Sequence, residues 1–165
     1  MKTSKPLFQE TSDIKRINCA GTYFIDCTGQ LYNKYGQTMK GSVNNKGYLQ
    51  LGVNHNGKQV TKLLVHRVVY ETFVGPIPTG LQIDHIDHNP LNNSLSNIRV
   101  VTHSVNALNK SSSKGVYKNR GNTFSASVCL NKKSHYLGSF TTYDEAHEAY
   151  NVARNLLIKT ELARL

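Results

Sequence analysis

The segment DHIDHNPLNNSLSNIRVVTHSVN, residues 84–106, restricts the possible folds of this chain more than any other stretch. Beginning three residues earlier, LQIDHI reads as a strand, NPLNNSLSN as a polar loop, IRVVT as a second strand, and HSVNALN as a helix with Thr102 or Ser104 near its cap. Strand, loop, strand and helix in so short a span bring together groups that are distant in sequence. Asp84 and His85 end the first strand, while Asn106 lies on the helix and can turn inward. Neighbouring residues of an extended strand point to opposite sides. Asp84 can therefore hold a cation while His85 faces a water molecule, so that both meet at one phosphate. Asn97 follows Asp84 by thirteen positions and Asn106 follows nine further on. Together these are the groups that phosphodiester hydrolysis requires.

Charge points to the same kind of partner. The 165 residues carry 20 Lys and Arg against 10 Asp and Glu, which favours an acidic polymer, nucleic acid first, over a small neutral substrate. Residues 1–60 hold eight basic against three acidic side chains, 61–110 four against three, and 111–165 eight against four. Basic flanks around a near-neutral centre fit two arms gripping phosphates beside a site where carboxylates collect a metal. A basic surface serving solubility alone would give the same count, and the central segment decides between the two. A hydrophobic content of 38% without Trp supports small modules rather than a large enzyme barrel. Cys19, Cys27 and Cys129 have no CxxC spacing, so neither a disulfide framework nor a cysteine zinc site is indicated. With no leader-like apolar run and no membrane-length one, the expectation is a soluble, cytoplasmic protein.

The N-terminal part alternates short β-type runs, GTYFID, TGQLYN, GYLQLGV and QVTKLLV, with Gly- and Asn-containing turns such as Asn56-Gly57. Short antiparallel hairpins follow. In VHRVVYETF, Val65, Val68, Val69 and Phe73 recur at helical spacing before Gly75-Pro76, which predicts a short buried helix. The C-terminal third has three β-like runs, 116–117, 124–130 and 135–140, followed by Thr142 and Glu145 as a capping box. Ala146, Ala149, Tyr150, Ala153 and Leu157 then share one helical face, so the helix should cover one side of a three-stranded meander. KSSSK, residues 110–114, reads as a linker.

DHIDHNPLNN and SNIRVVTHSVN together resemble the HNH endonucleases, particularly the phage and intron-encoded homing type; the β-rich segment leading into VHRVVYETFVGPIP looks like the DNA-binding part that precedes the nuclease unit there. The resemblance implies a ββα-metal (His-Me finger) unit with one divalent ion, Mg²⁺ or Mn²⁺. It further implies His85 as general base, Asp84 and Asn106 as metal ligands, Asn97 as the residue orienting the His85 imidazole, and products with 5′-phosphate and 3′-hydroxyl ends. The last position is Asn106 rather than His. A hard cation suits the oxygens of Asp84 and Asn106 completed by DNA phosphate, a neutral histidine suits proton abstraction near neutral pH, and Asn97 can bond the imidazole or its loop to fix its orientation. Asn89, Asn92 and Asn93 are explained by turn chemistry and stand outside the site. His66, His88 and His103 lack the spacing of a zinc site; packing or phosphate contact is the expectation for His66.

The last third resembles an AP2-type DNA-binding domain, marked by GVYK, YLGSF and EAHEAYNVA, with Phe124 where that family usually has Trp. With the helix on one face of the sheet, the other is open to a DNA groove. The expected contacts there are Tyr117, Lys118, Arg120, Phe124, Lys132, Lys133 and Tyr136, joined by His66, Arg67 and Arg99 from the centre. Core packing is the alternative for Phe124 and Tyr136, and a solvated turn for Lys132-Lys133. The reading is thus an α+β chain in three parts: a DNA-binding segment of antiparallel β hairpins (1–64), an HNH nuclease unit (65–110) and an AP2-like domain (111–165). Its partner would be double-stranded DNA, inside the host cytoplasm if phage-encoded, and a monomer with one site would nick one strand per binding event. A dimeric restriction-type nuclease and a catalytically silent DNA-binding regulator are the alternatives.

Overall fold

Turn geometry organises the N-terminal part of the computed structural model, which describes residues 9–17, 22–55, 59–110 and 115–165. Cys19, the Asn56-Gly57 turn and most of the KSSSK linker lie outside the described residues. Strands β1 (Ile14–Arg16), β2 (Phe24–Asp26), β3 (Leu31–Tyr32) and β4 (Thr38–Met39) form an antiparallel meander; β5 (Ser42–Val43), β6 (Leu49–His55) and β7 (Gln59–Leu64) form a second. Three of the connecting turns repeat one design. In 26–30, 33–37 and 44–48, the side-chain oxygen of Asp26, Asn33 or Asn44 accepts from the backbone N–H groups two and four residues on. The fourth residue is Gly29, Gly36 or Gly47, with φ of 87°, 76° and 83°. That left-handed backbone is cheap only for glycine, and the carboxylate or amide satisfies N–H groups that the tight turn would otherwise orphan.

The predicted helix α1 spans Val65–Phe73 and buries Val65, Val68 and Val69 together with His66. These valines join Ile17, Ile25, Leu31, Leu51, Val53 and Ile98 in one core. The ββα segment follows as expected: β8 (Leu81–His85), a 3-10 turn (Leu95–Asn97), β9 (Ile98–Thr102) and α2 (His103–Asn109), with β8 and β9 forming a two-stranded sheet. The Thr102 hydroxyl caps α2 by accepting from Val105 N at 3.3 Å.

The chain divides into two compact units, residues 1–79 with 83–100 and residues 80–82 with 101–165. In the second, β10 (Val116–Lys118), β11 (Phe124–Leu130) and β12 (Lys133–Phe140) pair antiparallel in that order, and α3 (Tyr143–Leu162) follows. Asn131 and Lys132, both at positive φ (51° and 63°), make the two-residue β11–β12 turn, whose primed geometry matches the twist of a hairpin. Thr142 and Glu145 form the expected reciprocal capping box. Ala126, Val128 and Leu130 of β11 pack with Ala146, Tyr150 and Ile158 of α3 and with Val101, Val105 and Leu108. Alternation along β11 and its partners leaves Tyr117, Ser125, Ser127, Cys129, Ser134, Tyr136 and Ser139 on the opposite side of the sheet.

Candidate functional site

Asp84 and His85 end β8 and are both buried, with 5% and 7% of their surface exposed. A buried carboxylate needs a counter-charge. Arg99 of β9 supplies it, placing Nε and Nη2 each 2.9 Å from the same Asp84 oxygen, Oδ2. The guanidinium expected to reach DNA is therefore occupied with orienting the expected metal ligand.

The imidazole of His85 faces a different set of groups. Its Nε2 lies 3.3 Å from Oδ1 of Asn93, a residue only 2% exposed. The Asn93 amide nitrogen donates to the Leu91 carbonyl at 3.1 Å. A carbonyl can only accept, so the Asn93 oxygen is the end turned toward His85, and His85 Nε2 must carry the proton. The lone pair of the neutral ring then resides on Nδ1. Tyr48 lies nearly parallel to His85 at a centroid distance of 6.0 Å, and His66 meets it edge-on at 5.1 Å. His66 is itself 5% exposed, and its Nδ1 has no hydrogen-bond partner among the described residues. Burial, with the charges of His85 and Arg67 adding to it, pushes the His66 imidazole down to about 4. A ring so buried and so reluctant to take a proton is packed against the site rather than offered to phosphate.

Asn97 bonds the loop after His85, one of the two contacts expected of it, rather than the imidazole itself. Its side chain accepts from Asp87 N at 3.1 Å and donates to Asp87 Oδ1 and Asn92 O at 2.9 and 2.8 Å. It therefore pins the loop that follows His85, and the amide on the imidazole belongs to Asn93, which turn chemistry alone had set aside. Asp87 also accepts from Asn92 Nδ2 and Asn89 N. Hydrogen bonds from Asn92, then Asn89 and Asn97, hold the Asp87 carboxyl below its ordinary value. Asn89 and Asn92 are thus turn residues, as expected. Nothing local in NPLNNSLSN distinguishes Asn93 from its neighbours; only its burial does.

Asn106, the other expected metal ligand, lies in the second unit, where its amide nitrogen donates to Gln82 Oε1 at 2.9 Å. Among the described residues no three His, Cys, Asp or Glu side chains are grouped to hold an ion. A hard cation near Asp84 would accordingly draw on one carboxylate and on oxygens brought by a substrate, a donor set suited to Mg²⁺ or Mn²⁺ rather than to zinc. Arg67 is exposed and paired with Glu71 at 3.4 Å. In the second unit Lys118, Arg120, Lys132 and Lys133 are exposed, as are Tyr117 and Tyr136. Phe124 instead packs on the core and meets Tyr143 edge-on at 5.8 Å.

Comparison with known proteins places this geometry. Residues 63–108 match the HNH endonuclease family model. The chain is 41% identical over 95 residues to the uncharacterized HNH endonuclease L560 of Acanthamoeba polyphaga mimivirus, covering 55% of this chain and 51% of that protein. It is 38% identical over 104 residues to the DNA endonuclease I-HmuI of Bacillus phage SP01, covering 62% of this chain and 58% of that one. A solved structure of DNA binding and cleavage by the HNH homing endonuclease I-HmuI matches with a TM-score of 0.51 at 34% identity, over 57% of this chain and 55% of that chain. The chain spans about half the length of the curated relatives it matches. Within it, the segment 63–108 that carries Asp84, His85 and Arg99 is the part similar to the HNH endonuclease family.

Proposed function

We propose that this protein is a DNA endonuclease that hydrolyses phosphodiester bonds with a divalent metal ion, a nicking enzyme of the homing type. The observation that carries the reading is the Asp84–His85 pair at the end of β8: a carboxylate oriented by Arg99 beside an imidazole whose Nε2 is committed to Asn93. His85 is the general base. With its proton on Nε2, the ring takes a proton from the attacking water at Nδ1, and the resulting imidazolium keeps its Nε2 bond to the Asn93 oxygen. Tyr48 and His66 wall the ring and limit its rotation. Asp84 and Asn106 are the residues assigned to the ion, Mg²⁺ or Mn²⁺. When bound, it would stabilise charge on the phosphate and on the leaving 3′ oxygen. Asn97 acts by fixing the 85–97 loop and so the direction in which His85 leaves the strand.

Double-stranded DNA is the partner, and the net charge of +10 is the long-range attraction. Residues 1–64 and 111–165 are assigned to binding on either side of the nuclease unit 65–110, with the last third acting as an AP2-like reader. The exposed, polar face of the β10–β12 sheet supports that role, and Lys132 and Lys133 at its hairpin turn supply phosphate contacts. One site per chain cuts one strand per encounter when the protein is a monomer.

The test is cleavage of supercoiled DNA carrying a broad sequence library, with Mg²⁺, with Mn²⁺ and with EDTA. Nicked circles that need the ion and disappear in His85→Ala support the reading. Salt-sensitive DNA binding without any cut would leave a catalytically silent regulator.

A further inference from the structure

The three like turns at 26–30, 33–37 and 44–48 differ in what they touch. The bonds described above for 33–37 close within that turn. The 26–30 turn instead abuts the loop that holds His85. Leu95 N donates to the Cys27 carbonyl at 2.7 Å, so the backbone of the loop is fastened to the turn. Gly29 approaches Asn93 so closely that a Cβ at this position would stand 2.9 Å from Asn93 Cβ and 3.2 Å from Asn93 O. Asn93 in turn reaches His85 Nε2. Asp26 stiffens the turn from inside, accepting from Thr28 N, Thr28 Oγ1 and Gln30 N on one oxygen and from the Tyr32 hydroxyl on the other.

We propose that the 26–30 turn of the N-terminal meander is part of the nuclease site, with Gly29 a positioning residue that sets His85 through Asn93. This rests on the endonuclease reading and deepens it. The first meander then does more than supply surface for DNA: its turn is the wall against which Asn93 is pressed. The physical reason is packing. A side chain that must supply one oxygen at hydrogen-bond distance to a reacting imidazole is held to a few tenths of an ångström only if its own Cβ has nowhere to go. Hydrogen bonding from Asn93 to Leu91 O fixes the amide, and the close approach of Gly29 confines the Cβ and backbone carbonyl from which that amide extends. Only glycine serves here, since the turn needs φ of +87° and Asn93 occupies the space a Cβ would take.

The experiment compares Gly29→Ala with Gly36→Ala, which places the same strain on a turn of the same design. Both are measured in the full chain for DNA affinity, for single-turnover cleavage with Mg²⁺, and for the ¹⁵N–¹H signals of the His85 imidazole. Alanine at 29 must push Asn93 by about half an ångström, and displacement on that scale costs on the order of tenfold in rate. The expected result is that loss in Gly29→Ala at saturating DNA together with a shifted His85 ring spectrum, and a wild-type ring spectrum and saturated cleavage rate in Gly36→Ala, whatever either does to DNA affinity. Gly29→Ala combined with Asn93→Ala should be no slower than Asn93→Ala alone, because the two act in series. Equal effects of the two glycine variants, or losses that multiply in the double variant, would overturn the proposal. The ring spectrum needs no catalysis. A wild type that never cuts sinks the nuclease reading, while the spectrum still decides whether the turn governs His85.

Discussion

Acid should destabilise this protein before its carboxylates are protonated, and His66 is the reason. In the folded chain its imidazole is pushed from 6.5 to about 4, chiefly by burial. The folded value lies below the unfolded one, so between pH 6.5 and 4 the unfolded chain binds the proton and the folded chain refuses it. Stability is therefore unaffected by His66 above the unfolded value and falls as pH drops toward the folded value. Each unit of separation is worth about 1.4 kcal/mol, which puts the loss at roughly 3 kcal/mol near pH 4 and about 2.5 kcal/mol at pH 4.5. Asp26 and Asp87 have carboxyls held below 3.8, so their stabilisation is present above that value and is lost only at lower pH. Glu145 is likewise held below its ordinary 4.5, so a window ending at pH 4.5 leaves the histidine dominant, and comparison with a variant lacking it cancels the carboxyls. His66→Phe keeps a ring against His85 and Tyr48 but removes the titration. Urea unfolding of both proteins at pH 7 and 4.5 is the assay. The variant should lose about 2 kcal/mol less than the wild type over that interval. Parallel losses in the two proteins would refute a buried, neutral His66.

Arg99→Ala leaves Asp84 buried without its guanidinium, and should lower stability by about 2–4 kcal/mol. Millimolar Mg²⁺ should restore part of it if Asp84 binds the ion, so melting with and without the ion separates the two roles. Asn97→Ala removes three hydrogen bonds to Asp87 and Asn92 and should cost roughly 2–3 kcal/mol. Limited proteolysis should then cut within 85–97, and an intact, equally stable loop would contradict the pinning role. Replacing Lys132 and Lys133 together by Ala should reduce the slope of log affinity against log salt by about 2. An unchanged slope would remove that hairpin from the DNA contacts.

Elements with strong periodicity were legible in the sequence. Val65, Val68 and Val69 announced α1 and form its buried stripe, and the Thr142–Glu145 box begins α3 as predicted. The order β8, loop, β9, α2 followed from LQIDHI to HSVNALN. Strands β1, β4 and β5 were not foreseen. At two or three residues each they are too short to carry a period, and β4 and β5 exist because the Asn33 and Asn44 turns fold the chain back onto β3 and β6. Asp84 and His85 were readable as the end of a strand, and both end β8. Asn93 and Asn97 were not separable, being equal amides in one polar loop; which one reaches the imidazole depends on the contact with Gly29 and on the bonds to Asp87. Arg99 was expected among the DNA contacts, yet it pairs with the buried Asp84. Cross-strand partnership of that kind depends on register, which sequence does not state.

The central claim is that His85 takes the proton from the water that cuts DNA. The most direct measurement is single-turnover cleavage with Mg²⁺ by the wild type and His85→Ala, each at protein concentrations shown to saturate the same DNA. A wild type that cuts while His85→Ala binds equally well and is slowed by at least about a hundredfold is the predicted result. Equal cleavage rates in the two bound complexes would contradict it.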